Sequence, residues 1–341
     1  MTAHDYLMKL TEELAPELRY DLNEDFTDWK KRARAKLEEL LGLPLRKPQQ
    51  DSLKMQETVI KDGITYTYFT FESEDGYNVL ACMMRKADID GKTPLCICLQ
   101  GHSSGMHVSM GEYKFERDTV TINEGENDYA IQAVKNGMTA IVIEQRYMGE
   151  KGFPGRPLPA CNAASGYDDA NQAMSALLLG RTAIGERVWD VMATLDVAER
   201  YFSDLYDKDK VMCTGNSGGG TATYFASMMD ERIKLSAPCC GVCEYEDSIM
   251  SINHCPCNFI PGIRKYFAMG DLGTLIAPRK LVMICGDVDP IFPLDGVRKS
   301  FELAKRAYTH LGKEENCTLV IGKGGHKYYP KDSWDVVNKM I

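Results

Sequence analysis

Short apolar runs alternate with helix-forming stretches along most of this 341-residue chain. After Thr93-Pro94, strands are predicted where such runs occur, at residues 95–99, 139–144, 210–214, 281–285 and 319–321. Helices are predicted between or after these strands, at residues 128–135, 168–179, 186–202, 221–229 and 294–311. Alternation of this kind is typical of a mostly parallel sheet with helices on both faces.

Three further strands are predicted before Thr93, at residues 57–61, 64–71 and 79–85. Asp62-Gly63 predicts a hairpin between the first two, and Asp75-Gly76 predicts the next turn. The sheet should therefore begin with antiparallel strands and continue with parallel ones. The predicted fold class is α/β, with an antiparallel entry to the sheet.

Residues 1–50 are predicted to form an N-terminal helical extension. Asp25 or Thr27 can cap a helix in this segment that Gly42 and Pro44 end. Its apolar stripe is formed by Trp29, Ala33, Leu37, Leu40 and Leu41. We expect the extension to pack on the main domain, residues 51–341, or on a second copy of the chain. Within that domain, residues 244–275 are rich in Pro, Asn and Cys, which predicts a loop or cap segment.

Composition and charge narrow the functional classes. The net charge is −9 and long basic runs are missing, so we expect no nucleic-acid partner. No apolar run approaches the roughly 18 residues of a membrane span, and the N-terminus does not resemble a signal peptide, so we expect no membrane association. Twelve cysteines without a secretion signal favour a reducing, cytoplasmic compartment. Six of them are predicted to be buried in strands: Cys82, Cys96, Cys98, Cys213, Cys285 and Cys317.

The pattern Gly-x-Ser-x-Gly occurs at residues 215–219, between an apolar run and a helix-forming stretch. This order of strand, sharp turn and helix is the nucleophile elbow of α/β hydrolases, in which the serine hydroxyl is exposed above the sheet. Ser217 is therefore the candidate nucleophile. Gly218 begins the helix, whose N-terminal N–H groups suit a developing negative charge.

The same pattern occurs a second time, at residues 101–105, after another apolar run. No clear helical period follows it, so the context favours Ser217 over Ser103 as nucleophile. We expect this segment to be either a flexible loop or the loop that supplies the second oxyanion donor.

A serine nucleophile needs a histidine base, which follows the acid in the chain order of this fold. His326 comes just after the last predicted strand and after Gly324-Gly325, so we favour it over His254 and His310. His310 lies inside a predicted helix, and His254 comes too early in the chain.

The acid should lie at the carboxyl end of a strand. Asp287 and Asp289 both follow the predicted strand 281–285. Asp289 precedes a proline, which favours an extended backbone. We favour Asp289 as the acid, with Asp287 and then Asp295 as the alternatives.

Two other groups of polar residues are expected to have structural roles rather than catalytic ones. The segment 144–146, Glu-Gln-Arg, could line the pocket, but an ion pair is the favoured interpretation. The run 239–257 contains five cysteines and His254, which could indicate a metal site. Its second pair is spaced Cys-x-Cys, tighter than in usual zinc sites, so we expect ordinary thiols and no metal. His254 and Asn258 are instead candidates to border the substrate pocket.

Several segments, in this order, resemble bacterial α/β hydrolases related to acetyl xylan esterases and dienelactone hydrolases. They are Gly101-His102 and residues 215–219, 277–280, 286–293 and 325–326. The resemblance implies an α/β-hydrolase fold, a Ser217, Asp289, His326 triad without a cofactor, and oxyanion donors in the N–H groups of Gly218 and His102. The loop has Gln100-Gly101-His102 where many relatives have His-Gly.

The expected activity is hydrolysis of short acyl esters, with acetyl groups on carbohydrates as the substrate class that the resemblance implies. The expected partner is thus a small-molecule or saccharide ester. One alternative is a peptidase of the prolyl-oligopeptidase type, and another is a non-catalytic binding protein on a hydrolase scaffold.

Overall fold

The computed structural model describes residues 1–149 and 167–341, the first four residues of the second range by backbone alone. Within these ranges, nine strands form one sheet. The strands are β1 (Lys54–Lys61), β2 (Ile64–Glu74), β3 (Tyr77–Lys86), β4 (Thr93–Leu99), β5 (Thr139–Ile143), β6 (Tyr206–Asn216), β7 (Leu235–Cys239), β8 (Lys280–Gly286) and β9 (Cys317–Gly322). Their order across the sheet is β1-β2-β3-β5-β4-β6-β7-β8-β9.

The sheet has an antiparallel part and a parallel part. β1, β2, β3 and β5 pair antiparallel, whereas β5, β4 and β6 to β9 all run parallel. The predicted antiparallel entry and parallel continuation are therefore confirmed. The carboxyl ends of the parallel strands share one edge of the sheet, where parallel sheets place their sites.

Helices cover both faces of this sheet. Those before β6 are α1 (Ala3–Glu12), α2 (Phe26–Leu41), α3 (Asp118–Asn123), α4 (Tyr129–Lys135), α5 (Tyr167–Leu178) and α6 (Ala183–Tyr201). Those after it are α7 (Gly218–Met229), α8 (Ile263–Tyr266), α9 (Met269–Thr274), α10 (Leu294–His310) and α11 (Pro330–Met340). Alternate residues of β4 enter two separate cores, because successive side chains of a strand point to opposite faces.

One core lies under α2, α6, α7 and α9 and includes Ile97 of β4. The other lies under α4 and α11 and includes Cys96 and Cys98. All six cysteines predicted to lie in strands are at most 1% exposed, so they serve as small apolar residues of these cores.

The N-terminal helix α2 packs directly on the main core. Asp25 caps it by accepting from the N–H of Asp28, and Gly42 ends it with a left-handed backbone at φ 76°. The predicted apolar stripe is buried except for the half-buried Leu40, and Trp29 is fully enclosed. This helix therefore stabilises the same core as the sheet, rather than standing apart from it.

Among the described elements that the sequence pattern does not predict are β7 and α11. β7 is short, and Ser236 and Pro238 interrupt its apolar character, although Pro is rare inside a sheet. α11 follows the last strand and buries Trp334 and Val337 against the second core.

The segment 244–275 contains short helical turns joined by loops, as its composition predicts, and α8 and α9 lie within it. That this segment forms a cap on the main domain remains a prediction. Across the described ranges, no helix is both long and apolar enough to cross a membrane.

Candidate active site

The segment 215–219 forms a sharp turn between β6 and α7. Ser217 adopts φ 57° and ψ −122°, a conformation that costs about 1–3 kcal/mol for a residue with a side chain. A Cβ atom at residue 215 or 219 would overlap the carbonyl oxygen of Leu99, so both positions require glycine. The Ser217 side chain does not cap the helix that it begins, and it is partly exposed. The turn therefore exposes a hydroxyl group that is not used to cap the helix.

Asp289 and His326 form a hydrogen-bonded pair. Oδ2 of Asp289 lies 2.8 Å from Nδ1 of His326. Its other oxygen accepts from the backbone N–H groups of Ile291, at 2.8 Å, and Phe292, at 3.2 Å. Because Nδ1 faces the carboxylate, the neutral ring carries its proton there and leaves Nε2 as the basic nitrogen. The ring of Phe292 stacks on the imidazole, with centroids 5.8 Å apart.

The pair has opposite pKa shifts. Burial raises the pKa of Asp289, but the hydrogen bond and charge of His326, together with the N–H groups of Ile291 and Phe292, outweigh burial and hold that pKa below its usual value. Burial lowers the pKa of His326, but hydrogen bonds with Asp289 and the Cys240 thiol outweigh it and raise the pKa to about 9. The carboxylate is thus ionised at neutral pH, and it stabilises a charged imidazole.

The four strands that carry these residues are neighbours. β6, β7, β8 and β9 lie side by side and parallel, so Ser217, Cys240, Asp289 and His326 follow adjacent carboxyl ends. The N–H of Ser217 donates to the Cys239 carbonyl at 3.0 Å, which ties the elbow to the end of β7. The Cys240 sulfur lies within 4.8 Å of a His326 ring nitrogen and 3.3 Å from the Lys327 carbonyl oxygen.

The other candidate acids and bases lie in different surroundings. Asp287 is exposed and accepts from the N–H of Gly324 at 2.7 Å, so it holds the loop that carries His326. Asp295 is exposed in the first turn of α10, and His310 is exposed in the last turn of that helix. The structure thus brings Asp289, rather than either alternative, into contact with His326.

The loop at residues 101–105 lies against the elbow. A Cβ atom at residue 101 would come within 2.7 Å of the Asn216 carbonyl oxygen, so glycine allows this close approach. The His102 ring packs over Gly218, where a Cβ atom would lie 2.9 Å from Cε1 of that ring. The two residues named as oxyanion donors are therefore neighbours across the two loops.

A second Ser, His and Asp cluster, absent from the sequence analysis, lies just beyond this loop. Nε2 of His107 is 3.0 Å from Asp118 and 3.2 Å from the Ser104 hydroxyl, which also donates to Asp118. Asp118 further accepts from the N–H groups of Lys114, at 2.9 Å, and Phe115, at 2.8 Å. Ser104, His107 and Asp118 are all buried. This cluster holds one loop together.

In the polar segment after β5, residues 144–146, Arg146 forms the ion pair that the sequence analysis favours. Arg146 binds Asp190 through two hydrogen bonds of 2.9 Å and Glu74 at 3.1 Å. Its guanidinium also lies over the ring of Tyr77, 3.8 Å from the centroid. Arg146 is only 4% exposed, so these partners compensate a buried charge.

The cysteine-rich run divides into two groups. Cys240 lies beside His326, and Cys243 packs against the Pro293 carbonyl, so neither joins the second half of the run. Cys255 and Cys257 lie instead beside His102, on the other side of the elbow. A hydrogen bond from Cys255 lowers the pKa of the Cys257 thiol; burial opposes this shift, whereas the charge of Arg187 adds to it.

His254 and Asn258 adjoin each other near this second group. The Asn258 amide nitrogen lies 3.3 Å from Nδ1 of His254, whose ring meets that of Phe292 edge-on at 5.9 Å. Burial lowers the pKa of His254, so this imidazole is neutral at neutral pH. Through Phe292 these two residues border the His326 side of the site.

Known proteins resemble the chain at two levels. No protein-family model matches it. Over 153 residues, 44% of the chain, it is 27% identical to “Putative hydrolase YtaP” of Bacillus subtilis (strain 168). The match spans 50% of that protein's length.

Solved structures match nearly the whole chain. A “putative acetyl xylan esterase” from Bacteroides fragilis NCTC 9343 superimposes with a TM-score of 0.76 at 17% identity, covering 98% of this chain and 84% of that one. A glucuronoyl esterase from Solibacter usitatus gives a TM-score of 0.67 at 14% identity, with coverages of 92% and 91%. Together with the sheet order and the elbow, these likenesses show that the chain has the α/β-hydrolase fold.

Proposed function

We propose that this protein is a serine hydrolase that cleaves carboxylic esters, with Ser217 as nucleophile, His326 as base and Asp289 as the orienting acid. The observation that carries the proposal is the His326–Asp289 pair, held at 2.8 Å beyond the carboxyl ends of β9 and β8, at the same edge of the sheet as the elbow after β6. The elbow itself supplies a partly exposed serine at positive φ. Nucleophile, base and acid in this chain order are the parts that acyl transfer needs.

In the acylation half-reaction, the Ser217 hydroxyl oxygen attacks the ester carbonyl carbon, and its proton passes to Nε2 of His326. The resulting imidazolium is stabilised by the Asp289 carboxylate at Nδ1. The N–H groups of Gly218 and His102 donate to the tetrahedral oxyanion. Collapse of this intermediate breaks the carbon–oxygen bond, and His326 protonates the departing alcohol.

In the deacylation half-reaction, water attacks the acyl-enzyme carbonyl and gives a proton to His326. The second tetrahedral intermediate collapses, the Ser217 oxygen leaves and regains the proton, and the carboxylic acid is released. Preorganised donors at the oxyanion typically contribute about 3–4 kcal/mol each to such steps. Each residue of the proposed site thus has a role in both half-reactions.

The proposed substrates are short acyl esters, with acetyl groups on carbohydrates as the class to test first. Support comes from the structural neighbours, which are described as a “putative acetyl xylan esterase” and a glucuronoyl esterase. His254 and Asn258 are proposed to border the acyl or alcohol side of this substrate. Phe292 packs between His254 and His326, so an apolar wall continues from the base toward that side.

The test is turnover of nitrophenyl esters from acetate to octanoate and of acetylated sugars, with a matched nitroanilide as the amide. We expect acetate-length esters to give the highest kcat/KM and the amide to be cleaved poorly. Ser217→Ala should abolish turnover, while Ser103→Ala, from the second Gly-x-Ser-x-Gly segment, is the matched control. Faster amide than ester turnover would favour the peptidase alternative. No turnover and no labelling by a fluorophosphonate would favour a binding protein.

A further inference from the structure

Three soft metal-ligating side chains meet beside the elbow. Nε2 of His102 lies 3.5 Å from Sγ of Cys257, and the sulfurs of Cys255 and Cys257 are 2.8 Å apart. All three ligating atoms lie within 4.8 Å of one another. His102 is 155 residues from Cys257 in the chain, so the fold alone creates this cluster.

The spacing of these atoms fits a shared ion. Zinc binds sulfur at about 2.3 Å and nitrogen at about 2.0–2.1 Å, so two ligands at a tetrahedral angle lie about 3.5 Å apart. This is the distance between His102 and Cys257. Two zinc-bound sulfurs need about 3.8 Å, so the Cys255 sulfur has to move outward by about 1 Å. Cys255 is only half-buried, so it is less tightly enclosed than Cys257.

Neighbouring groups hold the cluster in position. The Asn258 amide nitrogen donates to Sγ of Cys255 at 3.6 Å, and Asn258 is itself buried. The His102 ring lies close to Gly218, where a Cβ atom would come within 2.9 Å of its Cε1 atom. Contacts of this kind orient the ligands of metal sites and affect their affinity.

We propose that His102, Cys255 and Cys257 form a binding site for one thiophilic divalent cation, for which Zn²⁺ is the probe. Cys257 is buried while His102 and Cys255 are half-buried, so the ion enters from the side of these two. The Cys-x-Cys spacing alone favours plain thiols, and only the distant histidine changes this conclusion. The site stands on its own ligands and does not depend on the proposed hydrolase function.

A second cluster competes for the same ion. Cys240, Asp289 and His326 also lie within 4.8 Å of one another. It offers one thiol rather than two, and Nδ1 of its imidazole already bonds to Asp289 at 2.8 Å. Thiophilic cations therefore favour the cluster with His102.

The experiment is titration of the chelator-treated, reduced full chain with Zn²⁺ against a chromophoric competitor. We expect one Zn²⁺ per chain. Cys255→Ser, Cys257→Ser and His102→Ala should each weaken affinity by more than the 10- to 100-fold that outer contacts cost. The matched controls, Cys243→Ala and His310→Ala, should bind as the parent does. Circular dichroism checks the fold, and the half-buried Cys255→Ser is the variant least expected to disturb it.

Alkylation by iodoacetamide, mapped by mass spectrometry, gives a second measurement. Zn²⁺ should protect Cys255 and Cys257 together and leave the reactivity of Cys240 unchanged. Absence of saturable binding would overturn the proposal. So would binding that Cys240→Ala abolishes and Cys255→Ser preserves, or a Cys255–Cys257 pair that forms a disulfide in air yet binds no Zn²⁺ when reduced.

Discussion

The two Gly-x-Ser-x-Gly segments of this chain have the same pattern in different surroundings. The segment 215–219 bends between a central strand and a helix, and Ser217 stands at positive φ with a partly exposed side chain. The segment 101–105 leads into a short 3₁₀ turn, Met106–Val108. The serine of its pattern, Ser103, is also partly exposed, but it donates to the Gly105 carbonyl at 3.4 Å, and the adjacent Ser104 is buried against Asp118. The difference shows that the backbone around a serine, not the pattern itself, decides whether its hydroxyl is available.

Each segment also has a histidine and an aspartate nearby. The two pairs differ in which imidazole nitrogen faces the carboxylate. In the buried cluster, Nε2 of His107 faces both Asp118 and Ser104. A single nitrogen cannot hold the acid and also take the serine proton, so this cluster cannot act as a relay. Asp289 instead occupies Nδ1 of His326 and leaves Nε2 for the substrate side.

The largest effect is expected at the two serines. Ser217→Ala should lower kcat by about 10⁴-fold or more, because loss of the nucleophile leaves only the oxyanion donors and binding. Ser104→Ala should keep kcat within about tenfold in the folded enzyme. Measurement of kcat for both variants on one acetate ester decides the matter, and the reverse ranking would exchange the roles of the two segments.

The acid comes next. Asp289→Asn should keep the fold but reduce kcat by up to about 10⁴-fold, because the amide no longer stabilises the imidazolium and favours the wrong tautomer. Asp287→Asn, in the same turn, is the control. It loses only part of its bond to Gly324, so kcat should change far less. Equal losses in the two variants would contradict the assignment of Asp289.

Asp118→Asn should have the opposite effect to Asp289→Asn. It should lower the free energy of unfolding and leave kcat of the folded enzyme nearly unchanged. Asp118 accepts from two backbone N–H groups and from Ser104, and an amide group cannot accept all of these bonds. Hydrogen bonds to a charged group contribute about 1.5–3 kcal/mol each, so the free energy of unfolding should fall by at least about that amount. Urea denaturation measures this loss. An unchanged unfolding midpoint would show that the Ser104, His107 and Asp118 cluster does not stabilise the fold.

The smallest effect concerns the pH profile. A base must be neutral to act, and the pKa of His326 is raised to about 9, so kcat/KM should rise with pH and reach half its plateau near 9. Cys240→Ala removes one group that favours the charged ring, so the midpoint should move to lower pH. Cys243→Ala removes a buried thiol that packs against the Pro293 carbonyl and not against the imidazole, so it should not move the midpoint. A parent midpoint near the ordinary value of about 6.5 would contradict the described coupling.

The sequence predicts the elements whose pattern is local. The buried parallel strands β4, β5 and β8 are nearly continuous apolar runs, and the structure places them within two residues of the predicted bounds. β7 escapes prediction because Ser236 and Pro238 interrupt its run, although its neighbours on both sides impose the pairing. Tertiary context overrides propensity there.

The candidate site shows the same limit. Ser217, Asp289 and His326 could be chosen because each follows a recognisable strand in the order that the fold requires. Cys240 could not be chosen in this way, because it follows β7, which the hydrophobic pattern does not predict. The contact of His102 with Cys257 joins segments 155 residues apart, and no local signal announces it.

The central claim is that Ser217, and not a serine of the other segment, is the nucleophile. The most direct measurement is reaction with a fluorophosphonate followed by peptide mass spectrometry. We expect one adduct per chain, on Ser217, and greatly reduced labelling in His326→Ala, because the base no longer activates the hydroxyl. An adduct on Ser103 or Ser104, with Ser217 unmodified, would contradict the account.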